Sequence, residues 1–398
     1  MEEVERFLAG AVRALPPETV GVGDCAGRVL TEAVSAAVSV PGFRRSAMDG
    51  YAVRGEDTFG ASAYAPISLQ VLGESLPGRS FPGEVRAGQA LRVMTGAPVP
   101  QGADAVVMAE VCTEQDARVE VSEAVAPGRN VGAVGEDVRA GEALLAPGRR
   151  LRPQDAGLLA SIGVAEVACV RRPRVRLVVT GDELLPAGSR PEGVRIVDSN
   201  SVVLGALVAR DSGELLPFEI LPDRPERIRA ALAEPGADVV LVSGGSSVGT
   251  EDHAPRLVSE LGKLHFHGIS MRPSSPAGVA TIGPVFVFLL PGNPVSCLCA
   301  YEFFAGPTLR SLAGRSRAWP HRRVRLPLRR KIASAVGRTD YVRVAVEDGR
   351  VLPLATSGAS ILSSTVRAAG CVIVPRELEG MPEGAEVEVL LYDEEPQP

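Results

Sequence analysis

The spacing of apolar positions along this 398-residue chain changes three times, and each change predicts a different kind of structure. In residues 1 to 15, Val4, Phe7, Leu8, Val12 and Leu15 share one face at helical spacing. From about 31 to 170 short β-type runs take over, separated by Gly and Pro: Ser68 to Leu72, Ala90 to Met94, Ala105 to Ala109 and Arg118 to Val121. Pro153 to Ile162 reads as a brief helix that returns to the first region, so a small domain in two pieces carries an inserted β-rich one.

Residues 174 to 314 alternate apolar strands with amphipathic helices. Val175 to Val179 predicts a strand, and Asp198 or Ser199 can cap a helix through Val202, Val203, Leu207 and Val208 that Gly213 stops. Leu215 to Leu221 extends and Arg224 to Ala233 is helical. Val239 to Val242 and Val285 to Leu290 are further strands; Leu257 to Leu261 and a long Val295 to Leu312 are helices. This pattern predicts a mostly parallel sheet covered on both faces. From about 320 the chain is β-rich again, with Glu347-Asp348-Gly349-Arg350 as a hairpin turn, and predicts a small barrel or sandwich. The closing EEPQP reads as disordered.

The fold class is therefore multidomain α/β plus β, with a central doubly wound α/β domain. Expected boundaries are 1–44 with 145–172 for the discontinuous domain, 45–144 for the insertion, 173–316 for the α/β domain and 320–394 for the C-terminal β domain.

Composition narrows the class. A net charge of -6 argues against duplex nucleic acid as a partner, because phosphate neutralisation needs a basic face. No apolar run approaches the ~20 residues that span a bilayer. The opening MEEVERFL is unlike a secretory signal. The six cysteines lack C-x-x-C spacing and read as core residues of a cytoplasmic protein, not as zinc ligands or a disulfide framework. Lys263 and Lys331 are the only lysines; arginine supplies the other basic side chains, the four histidines aside.

The richest chemical signal follows Val242: Ser243-Gly244-Gly245-Ser246-Ser247-Val248-Gly249-Thr250-Glu251-Asp252. Paired glycines let successive backbone N–H groups converge on an anion. The loop carries no Lys or Arg and ends in two acids, which suits a divalent cation between phosphate and protein. Taken alone, it reads more readily as a Gly/Ser surface turn whose acids face water. Two other strands end in comparable loops, Thr180-Gly181-Asp182-Glu183 and Pro291-Gly292-Asn293-Pro294, the latter with Asn293 as helix N-cap and Pro294 at the first helical position. Ligands of open α/β sheets bind beyond the carboxyl ends of the strands. Asp223, past the extended run ending at Leu221, adds a carboxylate at the same edge. Together these features predict a phosphorylated ligand with a divalent cation held by Glu183, Asp223 or Asp252.

Five ordered motifs then carry a resemblance over nearly the whole chain: SAMDGYAV at 46–53, MTGAPVP at 94–100, TGDEL at 180–184, SGGSSVG at 243–249 and LPGNPVS at 290–296. The chain resembles the molybdopterin molybdenumtransferase family, related to the C-terminal domain of gephyrin. The resemblance implies insertion of molybdenum from molybdate into adenylylated molybdopterin, with release of AMP and dependence on Mg²⁺. It implies an elongated homodimer whose cleft lies between the α/β domain of one subunit and the β-rich parts of the other. Transient contact with molybdopterin adenylyltransferase and with molybdoenzymes follows, without nucleic acid or membrane. Carried onto matching positions, Asp49, Thr95, Glu183, Asp223 and Asp252 are the expected catalytic residues. Glu183, Asp223 and Asp252 are the expected metal ligands. Ser243, Gly244, Gly245, Ser246, Ser247, Gly249, Arg272, Pro291, Gly292, Asn293 and Pro294 are the expected substrate contacts. Glu136-Asp137 fits the family's Gly-Glu-Asp turn.

The usual Lys-Pro-Gly-Lys-Pro segment appears here as Arg272-Pro273-Ser274-Ser275-Pro276, and Gly268 stands where relatives often carry Lys. Arg272 preserves a charge in a different geometry, whereas Ser275 removes one. His265 and His267 lie nearby on one face of an expected strand and read as half-exposed strand residues. The missing cation leaves a tungstate-using paralogue or a non-catalytic cofactor-binding scaffold as alternatives. An adenylyltransferase or a nucleotide deamidase sharing the α/β domain lacks the flanking β regions found here.

Overall fold

The computed structural model describes residues 1–245, 253–355 and 358–392. The chain forms two compact units, Met1–Glu18, Gly27–Val29 and Ala168–Pro398 in one, Thr19–Ala26 and Leu30–Val167 in the other. Helix α1 (Glu2–Ala11) opens the first unit and buries Val4 and Leu8. It stops short of the apolar face that extends to Leu15: Val12 is already extended, and Pro16 disfavours helix at the residue before it. The Leu15 amide bonds the Leu312 carbonyl instead (2.9 Å).

In the second unit β1 (Gly50–Val53), β2 (Ile67–Ser75), β3 (Gln89–Val93), β4 (Ala105–Met108), β5 (Cys112–Gln115) and β6 (Arg118–Val121) form one sheet in the order β4-β1-β3-β2-β6-β5. Strand alternation sends Tyr51 and Val53 into one apolar cluster and Ala52 into another, so both faces are covered. Gly50 starts β1 because a Cβ there would collide with the Val107 carbonyl oxygen of β4. The Asp49-Gly50 pair thus leads into a strand. Helix α2 (Pro153–Ser161) follows where the apolar spacing placed a short helix.

The central sheet of the first unit contains β7 (Arg174–Thr180), β8 (Glu214–Leu215), β9 (Ile220–Leu221), β10 (Val239–Ser243), β11 (Lys263–His267), β13 (Gly278–Ile282) and β14 (Val285–Leu290). Its order is β8-β7-β10-β14-β13-β11, with β9 also paired to β7. The pairings of β7 with β8, β9 and β10, and of β10 with β14, are parallel. Strands β13 and β11 form an antiparallel edge. One face packs against α1, α3 (Asn200–Arg210) and the segment after β14; the other packs against α4 (Pro225–Ala233) and α5 (Ala254–Leu261). The expected run from Leu215 to Leu221 resolves into two short strands on the same neighbour.

The long helix expected from Val295 to Leu312 is instead α6 (Pro294–Ala300), a π turn (Tyr301–Ala305) and α7 (Gly306–Leu312). Pro307 cannot donate to the Phe303 carbonyl, and a wider turn accommodates the missing bond. A Cβ on Gly306 would lie 2.9 Å from Asp211 Oδ2, so glycine admits the close approach of a buried acid.

The C-terminal strands are β15 (Arg322–Pro327), β16 (Thr339–Glu347), β17 (Arg350–Ala355), β18 (Gly370–Val374) and β19 (Glu386–Leu391), joined by the short β12 (Met271–Arg272) along β16. A bridge between Leu328 and Val351 brings the chain beyond β15 back to β17, so the sheet curls into a barrel around Val342, Val344, Val372, Val387 and Val389. The β16–β17 hairpin turns where expected, with positive φ at Asp348 (49°) and Gly349 (71°). The terminal EEPQP lies outside the described residues, as do Ser246 to Asp252.

Candidate active site

Strands β7, β10 and β14 are parallel neighbours in matched register: Val179 faces Ser243, and Ser243 faces Leu290. Their carboxyl ends therefore release three loops at one edge. These loops line a cleft of about 780 Å³, within the usual range for a small-molecule site. Glu183, Asp223, Ser243, Gly244, Gly245, Pro291, Gly292, Asn293 and Pro294 all line it. Asp223 reaches this edge because β9 pairs Leu221 with Thr180 and the Gly181 amide bonds the Leu221 carbonyl (3.3 Å). Gly244 has φ of 97°, and a Cβ there would lie 2.5 Å from the Thr180 carbonyl oxygen, so only glycine lets the turn lie so close to β7.

Several cleft residues were not singled out by the motifs as site residues: Thr180, Asp198, Ser199, Asn200, Pro276, Ser360 and Leu362. Thr180 Oγ1 is buried and has no hydrogen-bond partner among the described residues. Asp198 accepts from the Ser201 amide (3.2 Å) and so caps α3. Asn200 Nδ2 donates to Ser243 Oγ (3.0 Å) and to the Gly292 carbonyl (2.8 Å). The Ser243 hydroxyl also bonds the Cys297 thiol, which burial pushes up to about 12. Asn293 stands at the N-cap of α6 as expected, yet its side chain makes no cap bond; Oδ1 accepts from Ser360 Oγ (2.7 Å). The Val295 amide bonds the Ala359 carbonyl (2.9 Å), so the segment after β17 is stitched to the start of α6.

Arg272 pairs with Asp340, a fully buried carboxylate that also accepts from Ser334 Oγ (2.8 Å) and Arg338 Nε (3.0 Å). Pro276, at the end of the same segment, lines the cleft. The Ser275 carbonyl takes the Ile269 amide (2.7 Å), and Gly268 has φ of 77° with open space where a Cβ would lie. His265 bonds Thr281 Oγ1 (3.0 Å) and stacks on Phe7, with ring centroids 4.2 Å apart. His267 is half-buried on the same strand.

Asp49 and Thr95 belong to the second unit. The Thr95 amide (2.6 Å) and hydroxyl (2.8 Å) both donate to Asp49 Oδ1, and these bonds hold the exposed carboxyl below its ordinary range. Glu136 pairs with Arg45. Ser246, Ser247, Gly249 and Asp252 lie outside the described residues.

Family comparisons cover most of the chain. The MoeA N-terminal region (domain I and II) matches residues 1–163, the "Probable molybdopterin binding domain" matches 176–311, and the MoeA C-terminal region (domain IV) matches 325–392. The molybdopterin molybdenumtransferase of Haemophilus influenzae is 33% identical over 91% of this chain and 90% of its own. That of Bacillus subtilis is 33% identical over 95% of this chain and 90% of its own. A molybdopterin biosynthesis MoeA protein from Pyrococcus horikoshii, solved by crystallography, superposes with a TM-score of 0.80 at 31% identity, covering 98% of each chain. No helix among the described residues is long and apolar enough to cross a membrane. With its domain matches in order along nearly its full length, this chain belongs to the molybdopterin molybdenumtransferase family and is an enzyme of molybdenum cofactor biosynthesis.

Proposed function

We propose that the enzyme takes adenylylated molybdopterin and molybdate, inserts molybdenum into the dithiolene and releases AMP. The observation that carries this reading is the single cleft in which two carboxylates, a Gly-Gly turn and the Pro291–Pro294 loop meet at adjacent parallel strand ends. Neither Glu183 nor Asp223 has a cationic partner among the described residues. Carboxylate oxygens free of cations in a cleft of small-molecule size fit Mg²⁺, which commonly takes one or two carboxylates with phosphate oxygens and water. Glu183 and Asp223 would hold the ion, with Asp252 as a third ligand from the same strand-end loop that begins at Ser243. When bound, the ion would withdraw charge from the phosphoanhydride and make AMP a better leaving group.

The chain's own residues bind and orient. The turn at Gly244 and Gly245 lets a diphosphate approach the backbone, because no side chain stands between them. Thr95 commits both its donors to Asp49 Oδ1, which leaves Oδ2 to orient substrate or the incoming oxyanion. The enzyme works as a cytoplasmic homodimer, receives its substrate from molybdopterin adenylyltransferase and passes product to molybdoenzymes.

A tungstate preference is the second reading, because Arg272 is engaged by Asp340 and Ser275 brings no charge. Purified protein is incubated with adenylylated molybdopterin, Mg²⁺ and either oxyanion, and AMP is measured. AMP release with molybdate supports the transferase; release with tungstate alone supports the second reading; none with either defeats both.

A further inference from the structure

Main-chain pairing between β10 and β14 ends at Ser243 and Leu290, where the two ligand loops begin. The Gly244 amide reaches back to the Leu290 carbonyl at 3.4 Å, a long contact. Asn200, the first residue of α3, joins the two from a third element. Its amide orientation is chemically fixed: the Gly292 carbonyl can only accept, so the atom facing it must be Nδ2. Both Nδ2 hydrogens are then committed, one to each loop, while Oδ1 has no partner among the described residues. Asn200 is 8% exposed, so these bonds form where water competes poorly. Gly292 and Gly244 sit in van der Waals range, a Cβ on the former lying 3.7 Å from the Cα of the latter.

We propose that Asn200 is a positioning residue that sets the spacing between the Gly244–Gly245 turn and the Pro291–Pro294 loop, and through it the affinity for the substrate's diphosphate. Its role in substrate affinity rests on the functional reading above; the clamp itself does not. A carboxamide suits the post because it offers two N–H donors from one atom at a fixed angle, which a hydroxyl cannot. Helix α3 does not need it as a cap, since Asp198 already serves the Ser201 amide. The substitution Asn200→Asp keeps shape and places an acid favourably at a helix start, yet sets an oxygen against the Gly292 carbonyl.

The test compares wild type, Asn200→Asp and Ser243→Ala. The expected result for Asn200→Asp is a KM for adenylylated molybdopterin raised at least tenfold, kcat within about threefold of wild type and a melting temperature within about 3 °C, in line with a lost local bond. Hydrogen exchange should quicken in peptides covering 243–245 and 291–295 and stay unchanged in β18. Ser243→Ala, which removes one of the two acceptors, should quicken exchange in the same peptides to a smaller degree. Unchanged KM and exchange would overturn the proposal, as would a general loss of protection across the first unit. Should Asn200→Asp fail to fold, Ser243→Ala decides by the same exchange readout. If wild type itself releases no AMP, the functional reading fails, whereas the exchange comparison still decides the clamp.

Discussion

Two sets of carboxylates in the first unit are treated in opposite ways. Around the π turn, Asp211 and Glu302 are buried and fully matched. Arg310 Nη1 reaches Asp211 Oδ1 at 2.8 Å, the Tyr301 hydroxyl donates to Asp211 Oδ2 at 3.0 Å, and Arg210 grips Glu302 with both terminal nitrogens at 2.6 and 3.0 Å. At the strand ends, Glu183 and Asp223 face a cleft with no such partner among the described residues. Charge matched inside the protein holds the fold; charge left unmatched at a ligand edge is available to a ligand. Burial alone would raise the Glu302 carboxyl, but His321 at 3.5 Å and the hydrogen-bonded Arg210 outweigh it and hold it at about 2.

The sharpest way to break this contrast is to remove one member of the buried set. Asp211→Ala strands Arg310 and should destabilise the unit by about 3–5 kcal/mol, read as a lower denaturant midpoint. A loss below about 1 kcal/mol would mean the network is not holding the π turn.

Glu302 sharpens the same side through pH. Its folded-state value lies below the ordinary 4.5, so its contribution is present above about 4.5 and is lost as pH falls through about 2. The difference corresponds to about 3 kcal/mol at most. The stability gap between wild type and Glu302→Gln should therefore narrow from pH 5 toward pH 2, which thermal melts across that range would show. A gap that stays constant over the window would contradict the matched-charge account.

On the ligand side, Glu183→Gln and Asp223→Asn should each lower AMP release about 100-fold, equivalent to about 2.7 kcal/mol of transition-state stabilisation. Melting temperature should move by no more than about 2 °C, because Glu183 has no partner to lose among the described residues and Asp223 accepts only one long bond, from the Asp182 amide at 3.4 Å, which an amide oxygen can still take. Destabilisation comparable to that of Asp211→Ala would erase the distinction between the two sets.

The smallest expected effect concerns Asp49. Thr95→Ala removes the hydroxyl that bonds Oδ1, so the Asp49 carboxyl should move up toward 3.8 in a carboxyl-detected NMR titration, without a change in stability. No upward movement would place the cause elsewhere.

Contiguous motifs were legible where one short stretch carries its own geometry. Gly244-Gly245 needs glycine for the turn, Asn293-Pro294 marks a helix start, and Asp348-Gly349 makes a hairpin; all three stand where the chain pattern placed them. Other features were legible only in part. The helix face running to Leu15 does not reveal that Leu15 bonds Leu312, and eighteen residues of helical pattern concealed the π turn forced by Pro307 and Asp211. Asn200 drew no attention beside the expected caps Asp198 and Ser199, and nothing near it in the chain names Ser243 or Gly292 as its partners.

Local backbone preference and apolar period act over a few residues, so the chain by itself determined the strands, their order of appearance, and the glycine and proline turns that end them. Three of those turns share one edge, as the parallel-sheet pattern implied, but only the folded sheet decided that Arg272 is engaged by Asp340 and that Asn200 joins two loops. Such contacts depend on strand register and on distances through space between residues 43 to 92 positions apart, and no local propensity encodes either.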